Sequence, residues 1–150
     1  MSVWIYLEQL EVVLSSGIFC RNEAEEIEEL SWDEFRHAHP NLTPLTYCSK
    51  VVLTQVCERN LTGNLGGMAD ALGIYDILYK GKSFWNGDRI QAKDVCAQLT
   101  KALAELDTNP DAYLRYEPAN KWGTVQSMKD DLAFFITCCS EYPNAYIRVS

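Results

Sequence analysis

The stretch Asn60-Leu-Thr62-Gly63-Asn64-Leu-Gly-Gly67 combines residue types that hold polar ligands. Its amides both donate and accept, its threonine adds a hydroxyl, and its glycines let a ligand approach the backbone. At a strand-to-helix junction, residues 62–67 have the outline of a phosphate cradle, because the first N–H groups of a helix lack internal partners. The stretch lacks the Lys and Ser/Thr of a P-loop and matches no dinucleotide fingerprint. A second polar group, Asn120-Lys121-Trp122-Gly123, offers an amide, a cation for an anionic ligand and a flat aromatic face. Catalytic machinery is thin. There is no nucleophile elbow and no cysteine beside a histidine, and Asp130-Asp131 reads as a solvated pair, so no catalytic residue is expected. His37 and His39 lie just before Pro40 without the two further ligands that zinc needs, so no metal and no other cofactor is expected.

Charge points elsewhere. The 150 residues hold 13 Lys plus Arg against 21 Asp plus Glu, net −8. Residues 1–40 contain nine acids and two bases, net −7, which leaves 12 acids and 11 bases, net −1, in residues 41–150. Such a chain is repelled by phosphate backbones and anionic lipids, so direct nucleic-acid or membrane binding is not expected. A basic protein partner fits better. It would meet Glu25, Glu26, Glu28, Glu29 and Asp33, with Trp32 and Phe35 as apolar contacts. The plainer alternative is a solvated acidic helix that aids solubility.

The elements that must position these residues follow from composition and periodicity. At 47% hydrophobic and 23% charged, the chain is an ordinary globular domain of one-domain length, able to build a core without staples. The six cysteines, Cys20, Cys48, Cys57, Cys96, Cys138 and Cys139, show no C-x-x-C pair and read as small core hydrophobes; disulfides are not expected, although the even count leaves them open. No apolar run approaches a bilayer span and residues 1–10 have no basic leader, so a cytoplasmic location is expected. Residues 3–7 fit a strand, although Leu10, Val13 and Leu14 equally fit an early helix. From an Asn22 cap, Ile27 and Leu30 predict a short amphipathic helix extended by Trp32 and Phe35. Residues 36–49 read as a loop and residues 51–57 as a strand. Thr62 caps a glycine-bearing helix over 63–72, in which Gly63, Gly67 and Ala71 form a smooth strip, and Gly73 stops it. Amphipathic helices follow over about 92–107 and 124–142, with a short one after Asp111, and residues 145–149 close the chain as a strand.

Two stretches carry a resemblance. They are Asn60-Leu-Thr62-Gly63-Asn64-Leu with the following Gly73-Ile-Tyr75, and Pro118-Ala-Asn120-Lys121-Trp122-Gly123 with the Pro-Asn-Ala-Tyr-Ile-Arg-Val-Ser ending. Together they resemble a family of small functionally uncharacterised bacterial and bacteriophage proteins, whose members show Asn-Ile-Thr-His-Asn-Leu, Gly-Ile-Tyr and Asn-Pro-x-Asn-Gly-Trp-Gly. The likeness covers roughly residues 56–150. Gly63 stands where the family has His, Lys121 where it has Gly and Glu117 where it has Asn. Loss of the His removes the best general base. The resemblance implies a source and no activity. If the family-like segments converge, Asn60, Asn64, Tyr75, Asn120 and Trp122 surround one recess beside the glycine strip, suited to a planar or sugar-like polar ligand. The opposing reading has the asparagines capping helices and Trp122 filling the core.

The expectation is an α+β single domain, with a small sheet of two or three strands covered by helices and an acidic 1–50 extension flanking a 51–150 core. The expected function is non-catalytic capture of a basic protein partner, with binding of a nucleotide-like ligand as the alternative.

Overall fold

The computed structural model describes residues 2–81 and 89–150. Residues 3–7 lie in a strand, β1 (Ser2–Arg21), which runs on through residues 10–14 where a helix was the alternative. Its period of two decides this: Ile5 and Leu7 are buried while Trp4 is exposed. The helix expected from Asn22 is absent, and β2 (Ile27–Leu30) pairs antiparallel with β1, Phe19 opposite Glu29. A helix there would stack Glu25, Glu26, Glu28 and Glu29 at three- and four-residue spacings, where like charges repel. Instead the Asn22 Oδ1 accepts the Glu26 N–H at 3.0 Å and Glu25 takes a φ of 63°, closing a turn.

Helix α1 (Trp32–Ala38) begins later, at Ser31. The Ser31 hydroxyl accepts the Glu34 N–H at 3.1 Å, and the Glu34 carboxylate accepts the Ser31 N–H at 2.8 Å, a closed capping box. Strand β3 (Leu45–Thr62) takes in residues 45–49, expected as loop, because the turn-forming residues end at Pro44. Among the described residues the sheet has four strands rather than two or three, in the order β2-β1-β3, with β4 (Tyr146–Val149) also on β1.

The chain forms two compact units: Leu10–Leu53, and the remainder, residues 2–9 with 54–150. In the smaller unit the buried hydrophobic side chains are Phe19 and Phe35. In the larger, a 3-10 turn (Gly63–Leu65) leads into α2 (Gly66–Ala71), where one continuous helix was expected, and Gly73 ends the segment at a φ of 73°. A π-helical turn (Asp76–Lys80), α3 (Ala92–Thr108), a 3-10 segment (Pro110–Tyr116) and α4 (Val125–Glu141) follow. Helices α3 and α4 pack together over a core that includes Ile5, Leu61, Leu99, Leu132, Phe135 and Ile147. Strand β4 lies antiparallel to β1, and Glu8 receives Arg148 and Arg89.

Cys57 on β3 and Cys138 on α4 form a disulfide across 81 residues, which corrects the expectation of unlinked cysteines. The fold brings their Cα atoms to 6.5 Å, a proximity that spacing in sequence does not encode. Cys139, one position on, is a buried thiol pushed up to about 12 by burial, with a further contribution from Cys96. Among the described residues no helix is long and apolar enough to cross a membrane.

Candidate functional site

In the larger unit, Thr62 is the hub of one candidate site. Its hydroxyl caps the 3-10 turn by accepting the Asn64 N–H at 3.3 Å and donates to the Trp122 carbonyl at 3.4 Å. Its own carbonyl accepts the Tyr79 hydroxyl at 2.8 Å. Burial, and secondarily the negative charge of Asp131, raises the Tyr79 hydroxyl above the ordinary tyrosine range, so it remains a donor. Tyr79 stacks on Tyr75 with ring centroids 5.0 Å apart, and the Tyr75 ring lies 3.3 Å from where a Cβ on Gly66 would stand.

The loop over residues 117–124 sits against this hub. Gly123, at a φ of 117°, leaves 2.8 Å to Leu65 and 2.9 Å to Thr62 for a Cβ, so only glycine fits. The Asn120 Oδ1 accepts the Trp122 N–H at 3.0 Å, and the Glu117 carboxylate accepts the Val125 N–H at 2.8 Å at the start of α4. Trp122 therefore does not fill the core; it is 72% exposed.

The expected ligand residues are thus placed unevenly. Thr62 and Trp122 are in direct contact, and Tyr75 joins them through Tyr79. Asn64, Asn120 and Lys121 are exposed beside them in sequence, Asn60 is exposed two positions earlier on β3, and Lys121 lies 3.9 Å from Glu117. Gly63 lies in the 3-10 turn, and Gly67 faces Tyr116 at 3.6 Å instead of Tyr75. Sequence reasoning overlooked Tyr79, although the four-residue spacing of Tyr75 and Tyr79 was a signal for a stacked pair. Asp131, read as solvated, is 8% exposed and bonded to Arg59 Nε at 2.8 Å, with the guanidinium 4.9 Å from the Phe134 ring. Burial raises its carboxyl above the ordinary value even against the opposing pull of Arg59.

The smaller unit carries a second candidate, built on α1. Trp32 and Phe35 stack at 6.2 Å, the Arg36 guanidinium lies 4.8 Å from the Trp32 ring, and His39 tilts against Phe35 at 5.5 Å. With Pro40 and Leu42 they line a recess of about 370 Å³. Phe35 is a buried support, and the half-exposed Trp32 is the accessible ring. Arg36, His39, Pro40 and Leu42 were not foreseen as lining, though Arg36 and His39 follow Trp32 and Phe35 by one helical turn each. Glu28 and Glu29 lie on β2, Glu25 and Glu26 in the preceding turn, and Asp33 in the first turn of α1. The Glu29 carboxylate stands 2.7 Å from where a Cβ on Gly17 would lie. Glu23, Glu25, Glu26, Glu28, Glu29 and Asp33 are in no ion pair among the described residues. The unit holds eight acids and three bases, net −5.

Among the described residues no group of three or more His, Cys, Asp or Glu is placed to hold a metal ion. Comparisons of the chain with protein families, curated proteins and solved structures find no match.

Proposed function

We propose that this is a non-catalytic binding protein whose Leu10–Leu53 unit captures a protein partner bearing a basic surface around a bulky apolar anchor. The observation that carries the reading is the α1 recess: an accessible tryptophan opens on about 370 Å³ inside a unit of net charge −5. That volume takes one or two large side chains, and carboxylates without cationic partners among the described residues draw in and orient Lys and Arg around it. In a chain of bacteriophage origin, such capture would serve to inhibit a host protein.

The test is fluorescence anisotropy with labelled peptides that intersperse Lys and Arg with a single Trp, Phe or Leu. Binding should weaken with salt, and both Trp32→Ala and the pair Glu26→Lys with Glu28→Lys should weaken it about tenfold or more. Equal binding by all three proteins overturns the reading. A planar polar ligand such as a nucleotide is the second reading, favoured by the exposed Trp122 on its braced loop. Under it, nucleotides raise the melting temperature of the wild type and not of Trp122→Ala; under the first, Trp122→Ala leaves peptide capture unchanged.

A further inference from the structure

We infer that the Leu10–Leu53 unit is also the interface of a homodimer, in which a second copy of this chain covers the apolar rows of β1 and β3. Sixteen large hydrophobic side chains are exposed among the described residues, and twelve of them belong to this 44-residue unit. The main core cluster includes none of its residues. A unit of this size with two buried aromatic side chains is near the limit at which a fold needs a staple, a metal or association with another chain.

Alternation puts Leu10, Val12 and Leu14 on one side of β1 and Tyr47, Val51 and Leu53 on one side of the neighbouring β3. In each strand this is the more exposed side, with Leu14 at 74% and Val12 at 70%. Together the two rows bare on the order of 800 Å², what each partner contributes to a standard interface.

The charge pattern selects the occupant. Residues 10–20 hold one charged side chain, Glu11, and residues 45–53 hold one, Lys50. A surface so poor in charge does not select a basic partner; it suits another uncharged apolar sheet face, which a second copy supplies about a two-fold axis. The other seven acids of the unit gather in residues 22–34. Packing the two ribbons antiparallel keeps these clusters at opposite ends, since 11 residues of strand span roughly 35 Å against a screening length of about 8–10 Å. The rows lie outside the α1 recess, so this inference stands independently of the basic-partner reading.

Sedimentation equilibrium of the full chain from 1 to 100 µM, with Cys20 and Cys48 replaced by Ser to prevent cross-links, should give twice the 17.1 kDa of one chain. Val12→Glu with Val51→Glu should raise the dissociation constant about a hundredfold and leave a monomer with wild-type circular dichroism. A monomeric parent protein at 100 µM, or a dimer indifferent to the two substitutions, overturns the inference. Amide exchange on the unsubstituted rows covers the case in which the variant unfolds. Protection of residues 10–14 and 47–53 should rise with protein concentration, and protection independent of concentration overturns the inference equally.

Discussion

The Arg59–Asp131 pair is the most informative contact between individual residues. Its two members are not equally buried: the Arg59 side chain is 36% exposed and that of Asp131 11%. Desolvation therefore falls on the carboxylate, whose value lies above the ordinary 3.8 despite Arg59. A raised acid contributes stability that is complete below its unfolded value and is lost as pH rises through its folded value. Asp131→Asn keeps the shape and lacks that titration. The stability advantage of the wild type over Asp131→Asn should thus be larger at pH 3 than at pH 7, where it should be within about 1 kcal/mol. Arg59→Ala does the reverse, leaving a buried charge unpaired at pH 7 at a cost of about 2–3 kcal/mol, and that cost should shrink as Asp131 protonates in acid. Urea unfolding across pH reads both. A wild-type advantage over Asp131→Asn that grows from pH 3 to 7 would mean that Arg59 outweighs burial.

Among the elements, the loop over residues 117–124 and the start of α4 differ in how they are held. Thr124 closes α4 by accepting the Ser127 N–H at 3.0 Å, a cap whose loss in Thr124→Ala costs about 1 kcal/mol. Gly123→Ala must both hold a non-glycine residue at a φ of 117° and displace Leu65 and Thr62, and it should cost about 2–4 kcal/mol. Chemical denaturation of the two variants gives the comparison; equal losses would mean that the loop is not anchored on the Thr62 hub. The helical parts of this region were legible, because α3 and α4 repeat their apolar residues with the helical period and Thr62 and Gly73 are ordinary start and stop residues. Strand β2 was not, since Ile27 and Leu30 three apart suit a helix and the strand exists only because Ile18 to Arg21 offer it a hydrogen-bonding partner. The candidate sites were legible by residue type and not by exposure. Trp122 in a loop and Phe35 in a helix each fit either side of the surface, and long-range packing alone placed one outside and the other inside.

For the whole molecule, the division into two units bears on how it melts. The Cys57–Cys138 bond lies wholly within the larger unit and closes 81 residues of chain. By loop entropy that closure contributes up to about 4 kcal/mol, so replacing both cysteines by Ser should lower the melting of that unit by roughly 10 °C or more. The smaller unit has two buried aromatic side chains and, in the dimer inferred above, owes much of its stability to a second copy. Its melting should rise with protein concentration by mass action and be indifferent to the cysteines. Amide exchange followed with temperature separates the two sets of amides within one sample. Residues 10–53 should respond to concentration and not to the Cys57→Ser, Cys138→Ser pair, and residues 54–150 should respond to the pair and not to concentration. A single transition moved by both would instead mean that β1 and β3, which run through both units, couple them into one cooperative fold. Loss of the partner copy would then weaken the Thr62 hub as well.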